Sequence, residues 1–301
     1  MKIGPWLQLI RWQNLIMLLL VHLLLRFSLF PKYSILPFLS TSKFFLLSLS
    51  CMLIMAGGYV INDIFDVRTD TINKPEKVII NKSISVSLAK IAYAILSLAG
   101  LAIGLYLSFF VGKTINFLWH PLTVLLLVIY SKYLKYSFLS GNILIGLLLF
   151  ISIIIIAFFD LIPGINPGTS SNSLVVFKYV LSFGTFAFLL TLLREVSKDA
   201  EDVEGDRLTG SDTLPVRFGF KITNKVLMIT GITTCILIFI FSLKNYTLHT
   251  FLFLYLLIAA IMPLLYFVYL VKSNSTKTDY KKSSLFLKVI MLTGMLGILF
   301  V

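Results

Sequence analysis

Acidic residues are scarce in this chain: 13 of its 301 residues are Asp or Glu, against 26 Lys or Arg. All charged residues together make up 13%, about half the share of a soluble domain, while 58% of the chain is hydrophobic and its mean hydropathy is +0.96. That balance excludes a soluble globular protein and implies an integral membrane protein. Cysteine is nearly missing. Cys51 and Cys235 lie inside apolar runs as small hydrophobic residues, which excludes a disulfide framework or a cysteine metal centre. The three histidines, His22, His120 and His249, are far from one another and from any acidic cluster, as expected of core or interfacial positions. No linker rich in Pro, Gly and Ser divides the chain, so residues 1–301 are expected to form a single polytopic domain. No small-residue cleavage site follows the first apolar stretch, which reads as a retained helix.

The apolar residues group into runs. A spanning helix needs about 20 of them, and nine runs qualify: 12–30, 44–61, 86–110, 115–131, 141–160, 175–194, 222–242, 247–271 and 284–301. His22 and Arg26 interrupt the first. The fifth ends at Asp160, before the turn-rich "PGINPGTSSNS". With the N-terminus in the cytoplasm, six cations fall on the far side: Arg26, Lys32, Lys43, Lys113, Lys178 and Lys244. The other 20 of 26 lie on the cytoplasmic side, a strong positive-inside bias. Nine spans then put Val301 across the membrane, in the cell (inner) membrane. The net charge of +13 is loop charge between spans and gives no reason to expect nucleic acid.

The few acids are not scattered. Four lie between Asp63 and Glu76 and seven between Glu195 and Asp212, so 11 of 13 occupy two short segments on one side of the membrane. The first is "NDIFDVRTD". Asn62, Asp66 and Asp70 follow at steps of four, each drifting by only about 40°, so their oxygens share one helical face. Asp63 points about 100° aside and suits a supporting or second-shell role. In "KDAEDVEGD", Asp199, Asp202 and Asp206 form a second stripe, with Glu201 and Glu204 aimed elsewhere. Crowded carboxylates repel unless a cation joins them. Oxygen ligands without His or Cys suit Mg²⁺ or Mn²⁺ better than Zn²⁺, and neither segment has the Gly and Glu spacing of an EF-hand. Lys and Arg surround both clusters, and "YSKYLKYSFLSGN" adds a third basic loop. Mixed acids and cations suit an anion bridged by metal.

These segments resemble a known family. "NDIFDVRTDTINKPEK" is similar to the first Asp-rich motif, N-D-x-x-D-x-x-x-D, of the UbiA superfamily of intramembrane prenyltransferases, and "KDAEDVEGDRLTGSDTLPVRFG" to the second. The resemblance implies an all-α fold of nine transmembrane helices around a central cavity. A cytoplasmic cap would be formed by the loops after helices two, four, six and eight. It implies two Mg²⁺ ions on an isoprenyl diphosphate, held by Asn62, Asp66, Asp70, Asp202 and Asp206, with Asp199 as a further ligand. Catalysis is expected from Asp66, Asp70, Asp202 and Asp206 with Lys135 and Arg68. Substrate binding is expected from Asn62, Lys74, Lys77, Lys132, Lys198, Arg11 and Tyr130. The two clusters are expected to face each other across the diphosphate, while apolar walls hold the prenyl tail and exclude water.

Within that family, "REVSKDAEDVEGD" followed by "TLP" is most similar to members that prenylate the glycerol hydroxyl of geranylgeranylglyceryl phosphate, in ether-lipid synthesis. An aromatic acceptor of quinone synthesis, hydroxybenzoate or dihydroxynaphthoate, is the alternative. Cation-coupled transport fits less well, because transporter sites lie near the midplane at broken helices. The chain departs from the family in "RWQN", where many members have Arg-Pro-x-Asn. It departs again in "NKPEKVIINKSIS", where Lys74 and Lys77 keep positive charge without the fork of Arg. Tyr130, Tyr133 and Tyr136 either anchor at the interface or steady a carbocation. "GNILIG" at Gly141 either packs closely or lines the cavity.

Overall fold

The computed structural model describes residues 3–166, 168 and 170–301, without the Lys77 side chain. Among the described residues nine helices are long and apolar enough to cross a membrane: α1 Trp12–Lys32, α2 Thr41–Asn73, α3 Val86–Phe110, α4 Thr114–Lys132, α5 Ser140–Gly164, α6 Ser170–Glu201, α7 Leu214–Lys244, α8 Thr250–Val271 and α9 Lys277–Phe300. A short helix, Ile3–Leu9, precedes them, and another, Val203–Thr209, follows α6. The only β-type pairing among the described residues is an isolated Ile80–Ile84 bridge.

All nine predicted spans are present, but several are longer than their apolar runs. The polar turns at helix ends score poorly on hydropathy while keeping helical hydrogen bonds. Thus α2, predicted over 44–61, continues to Asn73, and the first acidic motif lies on that helix, as its spacing expects. α9 starts at Lys277, not at 284, because Thr276 caps it. The Thr276 hydroxyl accepts from the Asp279 N–H at 3.2 Å, and the Asp279 carboxylate accepts from the Thr276 N–H at 3.0 Å, a capping box.

The chain divides into two compact units, residues 1–134 with 151–177 and residues 135–150 with 178–301. In the first unit α2 packs against α1, α3 and α4. Small residues allow the approach, as in membrane helix pairs generally. A Cβ on Gly104 of α3 would stand 2.4 Å from the His120 ring of α4. Near the first motif, Leu9, Val60, Ile79, Ile80, Ile84 and Ala89 form one apolar cluster. It seats that end of α2 between the N-terminal helix and the turn before α3.

His22 and Arg26 do not interrupt α1; both are buried. The His22 ring meets the Ser48 hydroxyl at 3.1 Å and the Ser152 carbonyl at 2.7 Å. Arg26 pairs with Asp160, which the sequence placed at the edge of a loop and the structure buries completely. The two sit in π-helical turns, Leu25–Leu29 and Ala157–Leu161. Such turns insert one extra residue and re-aim the side chains there.

In the second unit α7 packs on α8, and α8 on α9. Polar side chains tie the helices of this unit: the Tyr280 hydroxyl of α9 donates to Asn224 Oδ1 of α7 at 2.7 Å, and the Tyr179 hydroxyl of α6 to Asn245 Oδ1, just past α7, at 2.6 Å. Of the two roles left open for "GNILIG", close packing is observed at Gly146, where a Cβ would stand 2.7 Å from Phe188 of α6.

Candidate active site

The first motif lies on the last turns of α2. Asn62 is 7% exposed and Asp66 only 1%, while Asp70 is half-buried on the same face. The Asn62 amide nitrogen donates to Asp66 Oδ2 at 2.5 Å. That bond turns Asn62 Oδ1 the other way, where it is buried without a hydrogen-bond partner. An orphaned buried oxygen is uncommon. Beside a buried carboxylate it fits a hard divalent cation. Asp63 points aside as its spacing predicted and takes Arg11 at 2.9 Å. Arg11 also lies over the Tyr59 ring, 4.7 Å from its centre, and Asn14 donates to the Tyr59 hydroxyl at 3.0 Å. The Arg and Asn of "RWQN" therefore brace α2 at the motif. Arg68 is exposed and Lys74 half-buried. The predicted Lys77 contact lies outside the described residues.

The second motif is not one continuous stripe. α6 ends at Glu201, and Asp202 leaves helical geometry (φ −100°, ψ 9°) before Val203–Thr209 begins. The break follows the polar run "KDAED", whose side chains compete with the backbone for hydrogen bonds. Asp206 is 8% exposed and accepts from the Thr213 hydroxyl at 3.3 Å. Gly210, at φ 79°, closes the short helix in a left-handed conformation that glycine adopts freely. Glu204 is exposed, whereas Glu201 is buried.

Two elements the sequence kept apart meet the second motif. Asn142, at the start of α5, donates to Asp199 Oδ2 at 2.7 Å. Lys135 and Asp206 both lie within electrostatic reach of Asp199, and the Asp212 N–H donates to the Tyr136 carbonyl at 2.8 Å. The third basic loop thus joins the second motif through Lys135. Lys132 is exposed and lies 5.0 Å from the Tyr133 ring centre, and Tyr130 is half-buried on the last turn of α4. Lys198 pairs with Glu195 at 2.7 Å. Sequence reasoning missed Asn142, because its partner is 57 residues away and no local pattern links them.

Among the described residues no three Asp, Glu, His or Cys side chains gather into a ready-made metal cage. The first motif, described by itself, offers an amide oxygen and two carboxylates. The second offers carboxylates braced by Asn142 and Thr213. Each is an open set of hard oxygen donors, and Mg²⁺ completes such sets with water and phosphate oxygens.

An all-helical membrane protein carrying two such Asp-rich motifs is of the intramembrane prenyltransferase class. The chain matches the UbiA prenyltransferase family over residues 10–290, and it belongs to that family. The digeranylgeranylglyceryl phosphate synthase of Methanobrevibacter smithii is 30% identical over 303 residues, covering 97% of this chain and 94% of that protein. A solved structure of a digeranylgeranylglyceryl phosphate synthase is 27% identical, with a TM-score of 0.63, over 99% of this chain and 97% of that one. A UbiA homologue from Archaeoglobus fulgidus, solved with GPP and Mg²⁺ bound, shares the fold at 18% identity and a TM-score of 0.60, over 98% and 99% of the two chains.

Proposed function

We propose that this prenyltransferase moves a geranylgeranyl group from its diphosphate to the free glycerol hydroxyl of geranylgeranylglyceryl phosphate. The observation that carries the reading is the pair of Asp-rich motifs on a chain similar over nearly its whole length to digeranylgeranylglyceryl phosphate synthase. Residues 1–301 act as one polytopic domain. The N-terminus and both motifs face the cytoplasm, under a cap of the even-numbered loops, and Val301 lies across the cell membrane.

Asn62, Asp66, Asp70, Asp202 and Asp206, with Asp199 as a further ligand, would hold two Mg²⁺ ions on the diphosphate. The A. fulgidus homologue solved with GPP and Mg²⁺ supports a divalent metal acting with a prenyl diphosphate. Bound Mg²⁺ supplies charge neutralisation to the departing diphosphate. Lys135 and Arg68 donate to phosphate oxygens that the acids cannot serve, and Lys74, Lys77, Lys132 and Lys198 add to the cationic field. Arg11 acts on substrate through Asp63 and the seating of α2. Loss of diphosphate leaves an allylic cation, steadied by the Tyr130 ring face. The apolar helices keep water from it until the glycerol oxygen adds, and that hydroxyl then gives up its proton to the released diphosphate. Donor, acceptor and product all partition into lipid, so the reaction belongs inside the membrane.

The test is an acceptor screen. Purified protein with labelled geranylgeranyl diphosphate should prenylate geranylgeranylglyceryl phosphate and leave hydroxybenzoate and dihydroxynaphthoate unmodified. Transfer to either aromatic acid, with none to the glycerol, would replace this reading.

Asn142 braces Asp199, and groups that orient metal ligands typically change metal affinity by 10–100-fold. Asn142→Ala is therefore expected to raise half-saturating Mg²⁺ by about tenfold, while activity at saturating Mg²⁺ changes little. A Mg²⁺ titration identical to wild type would remove Asn142 from the site.

A further inference from the structure

The polar face of α6 continues beyond the motif toward the apolar part of the helix. Counting back along the helix from Lys198, Arg194 and Thr191 lie on the same side, within an arc of about 40° to either flank. Arg194 is about 10 Å along α6 from Glu201, and Lys288 is about 16 Å into α9 from Lys277. Lys288 is half-buried and within electrostatic reach of Arg194. One oxygen of Glu195 receives both Arg194 Nη1, at 3.1 Å, and Lys198 Nζ, at 2.7 Å. Two atoms on this face are buried with no hydrogen-bond partner, Arg194 Nε and Thr191 Oγ1, and Thr191 is only 5% exposed. A buried guanidinium N–H and a hydroxyl, one helical turn apart, wait for an acceptor. Two cations on α6 and α9 within electrostatic reach of each other favour an anion beside them.

We propose that Thr191, Arg194 and Lys288 form a phosphate subsite that holds the phosphate monoester of the prenylglycerol acceptor. A phosphate has the oxygen count to meet a guanidinium, an ammonium and a hydroxyl at once. Arg194 stands about 7.5 Å along α6 from Asp199, so the subsite adjoins the motif, and a second anionic group beside the diphosphate would occupy it. The acceptor carries such a group a few bonds from its reacting hydroxyl, whereas the donor carries only the diphosphate. This assignment rests on the acceptor reading above and adds where its charged end is held.

The test compares two acceptors, geranylgeranylglyceryl phosphate and the same alcohol without phosphate, using full-length protein in detergent and saturating geranylgeranyl diphosphate. Wild type should favour the phosphorylated acceptor by about a hundredfold in kcat/KM. Arg194→Gln and Lys288→Met should each raise the acceptor KM by about tenfold, as expected for a lost charge-assisted bond. Both should leave the donor KM within about twofold and narrow the preference for phosphate. Thr191→Val should act in the same direction by a smaller factor, and Arg194→Lys should recover part of the loss. Because the two cations lie on different helices, a folding defect in one variant leaves the other as the readout. Direct binding of the phosphorylated acceptor should weaken in parallel. A rise in donor KM alone would assign the subsite to the diphosphate and overturn the proposal. Equal use of both acceptors by wild type, or unchanged KM values in both variants, would also overturn it. No transfer to either alcohol by wild type would instead remove the acceptor reading itself, and the subsite with it.

Discussion

Asp66→Ala and Asp202→Ala are each expected to lower Mg²⁺-dependent release of diphosphate from geranylgeranyl diphosphate by at least about a thousandfold, while the protein still elutes as a folded species in detergent. One carboxylate is taken from each motif, so a common effect tests both halves of the metal assignment. The size follows from the chemistry. Charge neutralisation on a departing diphosphate supplies several kcal/mol of transition-state stabilisation, and about 4 kcal/mol is a factor of roughly a thousand in rate. Folding should survive, because Asp66 is 1% exposed and its replacement removes a carboxylate that is costly to bury. Asp63→Asn is the comparison. Asp63 holds Arg11 at 2.9 Å and points away from the stripe, so its loss should reduce activity far less and leave the Mg²⁺ dependence in place. Wild-type rates in both alanine variants would refute the metal assignment.

What the sequence made legible was local. Runs of about 20 apolar residues located all nine spans, because burial of backbone polar groups in lipid leaves helices as the available solution. The four-residue spacing of Asn62, Asp66 and Asp70 gave their common face, and it held because α2 runs on through Asn73. The same logic failed in part at Asp202, where the backbone leaves the helix and a wheel drawn over the motif no longer applies. Partners chosen by packing were not legible at all. Asn142 finds Asp199 57 residues away, and Lys288 meets the field of Arg194 from a helix whose sequence reads only as the last span. Periodicity says which side of a helix a residue occupies; it does not say which helix will face that side. Arg26 and Asp160 are the sharpest case. Arg26 appeared as an interruption of one apolar run and Asp160 as the end of another, and each is explained by the other.

That pair sets the second large effect. Asp160→Ala is expected to destabilise the protein by about 3–5 kcal/mol, the usual penalty for removing one partner of a buried ion pair. The pair is enclosed, with Arg26 5% exposed and Asp160 0%, and it also organises backbone. Arg26 Nη2 donates to the Leu39 carbonyl at 2.6 Å, the Leu39 N–H donates to Asp160 Oδ1 at 2.7 Å, and the Phe38 N–H donates to the Asp160 carbonyl at 2.9 Å. The connection between α1 and α2 is thereby pinned to the π-helical turn of α5. The two single variants should not be equal. Without Asp160, the Leu39 N–H loses its acceptor and the guanidinium stays charged, since Arg does not give up its proton in a protein. Without Arg26, a stranded carboxyl can take up a proton and still accept from Leu39. Arg26→Met should therefore be milder than Asp160→Ala, by about 1–3 kcal/mol for the orphaned donor. The measurement is the fraction of monodisperse protein left after graded heating in detergent, for wild type and both variants. Equal losses would mean that the backbone bonds to Leu39 contribute little, and no loss in either would remove the pair from the account of what holds this unit together.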